Sequence, residues 1–226
     1  MNSADRALFY HVQRSAVPRF KVGKSYTFGE QQNFFARDLF AVDVSVPVRG
    51  VGELPVDEIL RDYFDPSGFN HYRSVKRAGY TADEKGLLGC AAAVLRQQAL
   101  LLRELIFEQV RQEAFPEKPS RLRCAWLIPH EEQILAHWCA TAPAGQFRTY
   151  EVEATGRVHV GASKYLKPAC LGAAVLRDHA RRFWSEPVNE RAEPAEIMLA
   201  GEMTPVRELK MAGSTETTWA KLKRLF

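Results

Sequence analysis

The chain has no long hydrophobic run, no closely paired cysteines and none of the common phosphate loops. Each absence removes a class of protein. No stretch approaches the roughly 20 apolar residues of a membrane-spanning helix, so no membrane partner is expected. The apolar run in MNSADRALFY is about five residues long, too short for the hydrophobic core of a signal peptide. A cytoplasmic location is the default expectation, although an exported protein using a signal-independent route would read the same. Only 4 cysteines occur in 226 residues. Cys90, Cys124, Cys139 and Cys170 lack the spacing of a zinc ribbon or a redox pair and read as reduced core thiols.

Neither GxGxxG nor GxxxxGKS/T occurs, and there is no GxSxG elbow or HExxH helix. His130 and His137 would share a helix face, but Glu131 is adjacent to His130 rather than offset, so no metal is expected. Ser163 and Lys164 are neighbours that a strand would send to opposite faces, which leaves a loop serine and a solvated lysine. Charge of one sign is also scarce: 31 Lys and Arg face 27 Asp and Glu, a net +4. That falls short of a dedicated nucleic-acid binder. The basic groups Arg73/Lys76/Arg77, Arg177/Arg181/Arg182 and Lys221/Lys223/Arg224 read as solvated faces. The second, at helical spacing, is the best of the three for a polyanion.

What is present is an ordinary globular composition, 46% hydrophobic, able to bury a substantial core. In ALFYHVQR, alternation puts Leu8, Tyr10 and Val12 on one face and Phe9, His11 and Gln13 on the other. The second face is half polar and suits the border of a cleft. Thr81-Ala82-Asp83-Glu84 fits a capping box opening a helix that runs to about Phe115, where Pro116 stops it. Leu88, Ala92, Leu95, Ala99, Leu102, Ile106 and Val110 form its apolar stripe, with Arg103, Glu104, Glu108 and Arg111 on a solvated or paired side.

Beyond PEKPSR the pattern turns to strands. RLRCAWLI reads as a strand, HEEQILAHWCA as a short helix, and QFRTYEVEATGRVHVGA as a hairpin or a bent long strand. CLGAAVLRDHARRFW is a further helix, Ile197 to Met203 and Val206 to Leu209 are closing strands, and TWAKLKRLF is an amphipathic terminal helix. The class is α+β.

In this order the segments resemble the ADP-ribosyltransferase superfamily. FYHVQRSAVPRFKVGKSYTFG looks like the first strand and glycine-bearing loop of the small rifamycin-modifying members. RCAWLIPHEEQILAHW, FRTYEVEATGRVHV and EPAEIMLAGEM are similar to their later elements. LLRELIFEQVRQEAFPEKPSRLRCAWL with EIMLAGEM is similar to an uncharacterised bacterial domain family placed near that superfamily. The resemblance implies one domain over residues 1–226 with a split mixed β-sheet, and a largely helical insertion over 30–118.

It also implies NAD as substrate and transfer of ADP-ribose to a macromolecule, chemistry used by bacterial toxins and defence proteins. His11 stands where the superfamily grips a ribose hydroxyl, although Val12 replaces the glycine that often follows. Trp126 is nearest to the aromatic that packs on nicotinamide, with Tyr26 and Phe28 as alternatives. Glu196 or Glu193 would be the carboxylate that stabilises the sugar as nicotinamide leaves. The acceptor, a nucleic acid, a protein side chain or a rifamycin-like drug, is open, with the mild basic excess favouring nucleic acid. The rival expectations are a non-catalytic nucleotide- or nucleic-acid-binding module of the same fold, and a partner-binding protein acting through its long helix and tail.

Overall fold

The computed structural model describes residues 3–13, 19–41, 45–48, 52–55, 84–141, 147–166, 172–188 and 194–209. In chain order the elements are β1 (Ser3–Gln13), β2 (Tyr26–Phe28), α1 (Phe34–Ala41), a hairpin of β3 (Ser45–Val48) and β4 (Gly52–Pro55), and α2 (Glu84–Ala114). They continue with β5 (Ala125–Pro129), α3 (Glu132–Thr141), β6 (Arg148–Ala162), a 3-10 turn (Ser163–Leu166), α4 (Ala173–Ser185) and β7 (Ala195–Leu209). The class is α+β, as the alternation of periods predicts. Glu193, Cys170, the first and third basic groups, the capping residues 81–83 and the expected terminal helix lie outside the described residues.

β1 pairs with β6 along one edge and with β5 along the other, β5 pairs with β7, and β7 pairs back with β6. These four pairings make a ring, with β2 added beside β5 on the free edge of β7. Every described pairing is antiparallel, which replaces the expected mixed sheet. The two expected closing strands are one element, and QFRTYEVEATGRVHVGA is one long strand rather than a hairpin. Two glycines facing each other across β6 and β7 permit their close approach. Gly156 and Gly201 are register partners with φ of 140° and 155°. A Cβ on Gly201 would stand 2.2 Å from the Thr155 carbonyl oxygen.

Alternation along the strands divides the side chains between two faces. Phe9 of β1, Leu127 of β5, Val152 of β6 and Leu199 of β7 meet in one cluster, so these positions point into the ring. Phe20, from the loop before β2, fills its middle. Outside, Met198 and Cys124 pack beneath α2 and α4, and Tyr10 and Ile128 pack beneath α3. α4 lies so close to β6 that a Cβ on Gly161 would meet the Phe183 ring at 2.2 Å. Trp184 is fully buried between α4 and α2 and donates its indole N–H to the Phe107 carbonyl at 3.0 Å.

The stripe read along α2 holds only toward its end. Ile106 and Val110 are buried, but Leu95 is 62% exposed and Leu102 is also exposed. The helix instead turns Arg103 and Glu104 inward. Of the two expected arrangements, solvated or paired, they take the paired one, in the interior. Ion pairing within the core permits this burial, which composition alone disfavours.

Candidate functional site

The inner face of β1 carries His11, and the register fixes its neighbours. His11 pairs with Tyr150 of β6, and Tyr150 pairs with Glu208 of β7. Partners in antiparallel strands point to the same side, so these three form a row across about 10 Å of sheet. Phe20 lies against the row, with ring centroids 5.0 Å from His11 and 5.9 Å from Tyr150, edge-on in both cases. Tyr26 and Phe28 approach the same ring at 4.9 and 6.4 Å. His11, Tyr26 and Phe28, three residues singled out from the sequence, therefore converge on one aromatic plug.

Two hydrogen bonds seat that plug. The Arg19 N–H donates to Gln13 Oε1 at 2.9 Å, and the Lys21 N–H donates to Tyr26 Oη at 2.8 Å. At the mouth of the ring Arg148 forms an ion pair with Glu208, both partly exposed. Burial, followed by the Glu208 carboxylate, pushes the Tyr150 phenol above its ordinary value.

His11 Nδ1 lies 2.8 Å from the Trp126 carbonyl oxygen, which can only accept, so Nδ1 carries the proton. Burial holds the imidazole below its ordinary pKa, against the opposing pull of that hydrogen bond. The ring is neutral near pH 7 and presents Nε2 as an acceptor. Such a group takes a hydroxyl proton but has no positive charge for a phosphate.

The structure does not bring His11 and Glu196 together. Glu196 alternates with Ile197 and falls on the Met198 side of β7, outside the ring, whereas His11 faces inward. There Glu196 forms an ion pair with Arg121, whose Nε donates to Glu104 Oε2 at 2.9 Å. Arg103 Nη2 donates to the other oxygen of Glu104 at 2.6 Å. Arg121 also lies 5.2 Å over the Phe183 ring. Its two carboxylate partners, opposing burial, raise its pKa, so this network is charged and interlocked. The Trp126 ring is likewise outside, edge-on to Phe35 at 5.3 Å. Only its carbonyl reaches His11.

The other sequence candidates are absorbed elsewhere. His130 Nε2 is 2.7 Å from Glu151 Oε1, and its ring lies on Tyr10. Arg177 approaches Glu113 at 3.7 Å and Arg182 pairs with Asp178 at 3.0 Å. The basic group on α4 is therefore partly neutralised. Sequence reading missed Phe20, Tyr150 and Glu208. Their signal was the period-two pattern itself, but the pairing of Tyr150 with Glu208 depends on the extra residue that β7 holds between Pro205 and Arg207.

The class these features define is an α+β protein with a closed antiparallel ring and a His–Tyr–Glu row at its mouth. Residues 9–211 match the model of a family described as Protein of unknown function (DUF2441), and the chain belongs to that family. No curated protein matches it.

Proposed function

We propose that the chain binds NAD at the mouth of the ring and transfers ADP-ribose from it to a macromolecular acceptor, nucleic acid before protein. The observation that carries the reading is the row of His11, Tyr150 and Glu208 around Phe20, with Tyr26 and Phe28 beside it. Neutral His11 would accept a ribose hydroxyl, and the aromatic rings would pack on nicotinamide once Phe20 moves aside. Glu208 replaces Glu196 as the carboxylate on the correct face. The split sheet of the ADP-ribosyltransferase superfamily is the finer fold assignment that goes with this reading.

In the reaction the bond between nicotinamide and ribose breaks and its electron pair leaves with nicotinamide. Positive charge builds on the sugar. A carboxylate fixed beside it stabilises that charge more than the ground state, which is worth about 3 to 4 kcal/mol for one preorganised contact. The acceptor nucleophile then bonds to the same carbon and loses its proton to solvent. No step needs a metal.

One observation favours a second reading, a non-catalytic nucleotide-binding module: Glu208 is engaged by Arg148. Measuring NAD affinity and nicotinamide release separates the two. The transferase reading expects Glu208→Gln to lose about a hundredfold or more in turnover with little loss of affinity. Glu196→Gln should remain active. NAD binding without release in the wild-type protein, with lysate or nucleic acid supplied, supports the module. Absence of NAD binding overturns both.

A further inference from the structure

Beside the mouth of the ring, the loop before β2 and the first turn of α1 hold a stack of alternating charge and ring. The Arg19 guanidinium carbon lies 3.7 Å from the centroid of Phe34, and that of Arg37 lies 4.2 Å from it. Both guanidinium groups therefore lie against the one Phe34 ring. The ring is nevertheless 41% exposed. Lys24 projects over Tyr26 at 5.5 Å. The Arg123 carbonyl accepts from the Gly29 N–H at 2.9 Å, which sets the backbone of this exposed arginine beside the loop. Exposed Lys21 completes the group.

None of these five cations has a carboxylate within ion-pair distance among the described residues, whereas Arg6, Arg111, Arg148, Arg177, Arg182 and Arg207 all do. Glu30 and Asp38 share the segment and Glu202 accepts from Ser25 Oγ at 3.5 Å beside it, so five cations face three carboxylates and the surface stays cationic. Holding the Arg19 and Arg37 guanidinium groups against one ring with no counter-ion is electrostatically unfavourable, and a bound polyanion removes that cost.

We propose that this surface docks single-stranded nucleic acid and presents it to the mouth of the ring. The guanidinium edges and the lysines meet phosphates, which attract without regard to sequence. The exposed Phe34 ring and the planar guanidinium groups beside it offer unpaired bases a stacking platform, which duplex DNA cannot use because its bases are already stacked. Arg19 precedes Phe20 and binds Gln13 through its backbone, so a strand held here lies beside the ring that packs on His11. The inference names the acceptor for the proposed transfer and rests on that reading only for its purpose. Binding itself requires no NAD.

The test is fluorescence anisotropy of a labelled 12-nucleotide single strand, without NAD, over a salt series. Wild type should bind. Arg19→Ala/Arg37→Ala should lose at least tenfold and flatten the log–log salt slope by about 1.4, the value for two phosphates on a single strand. Phe34→Leu, which keeps apolar volume but removes the π face, should lose about five- to a hundredfold with the slope unchanged. Unaltered thermal unfolding of the variants, all at exposed positions, excludes misfolding. No binding by wild type, equal binding after these substitutions, or equal competition by heparin and duplex DNA would each overturn the proposal. Failure here with intact NAD turnover leaves the transferase reading standing.

Discussion

Glu196 and Arg121 form an ion pair on the helix-covered side of β7, facing away from His11. Arg121 is 3% exposed and also holds the fully buried Glu104. Removing one member of such a network leaves an uncompensated buried charge, typically costing about 3 to 5 kcal/mol. Arg121→Met is expected to destabilise by that amount in urea denaturation. Glu196, whose side chain is 32% exposed, can be rehydrated. Glu196→Gln should cost about 1 kcal/mol or less. An equal loss for both would show that Glu196 is needed to hold the network together.

His11 gives a prediction for affinity. Its Nε2 accepts a hydroxyl only in the neutral ring, and burial lowers the pKa below the ordinary 6.5. If the proposed NAD site is correct, NAD affinity should therefore stay level as pH falls from 8 through 6.5, then decline at lower pH as the ring charges. Calorimetric titration at several pH values checks this. A decline centred on 6.5 would contradict the buried, Trp126-bonded imidazole.

His159 gives one for stability. Burial, with Lys118 and Arg121 adding to it, lowers its pKa to about 4, and its ring packs on Trp184. Between about pH 4 and 6.5 the unfolded chain binds a proton there that the folded chain does not. Folding stability should therefore fall on acidification through this window, by at most about 1.4 kcal/mol per pH unit from this group. His11 adds in the same direction. Urea unfolding of His159→Gln across pH 7.5 to 4.5 should show a shallower slope than wild type.

Close packing at Gly161 gives a fourth. An added methyl would meet Phe183 at 2.2 Å, so Gly161→Ala should destabilise by about 1 to 3 kcal/mol through forced repacking. Gly172→Ala is the comparison: nothing lies within 4 Å of the added carbon, and replacing the N-cap glycine of α4 should cost about 1 kcal/mol or less. Equal melting temperatures for the two variants would mean that α4 does not rest on β6 as described.

Much of the architecture was legible in local pattern. Alternation in ALFYHVQR separated His11 from Tyr10 correctly, and the long helix ends at Ala114, beside the expected stop. What local pattern could not supply was register. Glu196 sits at the head of β7, where the superfamily resemblance sought a carboxylate, yet alternation with Ile197 sends it outward. Glu208 follows a one-residue irregularity that shifts its partner, so no periodicity count identifies it as the neighbour of Tyr150. For Glu104 the pattern leaves solvation and pairing both open, because its two arginines come from different elements, one adjacent in sequence and one 17 residues on.

The closure of the ring also constrains how the polypeptide is made. β1 finds its long neighbour β6 only after roughly 150 further residues have been added, since Ser3 lies opposite Arg157. At about 5–20 residues per second, its donors and acceptors wait on the order of ten seconds for those partners during synthesis. β2 waits longer still, for β7, since Tyr26 lies opposite Met203. Nascent chains of this protein thus pass through an interval with open strand edges, when shielding by chaperones matters most.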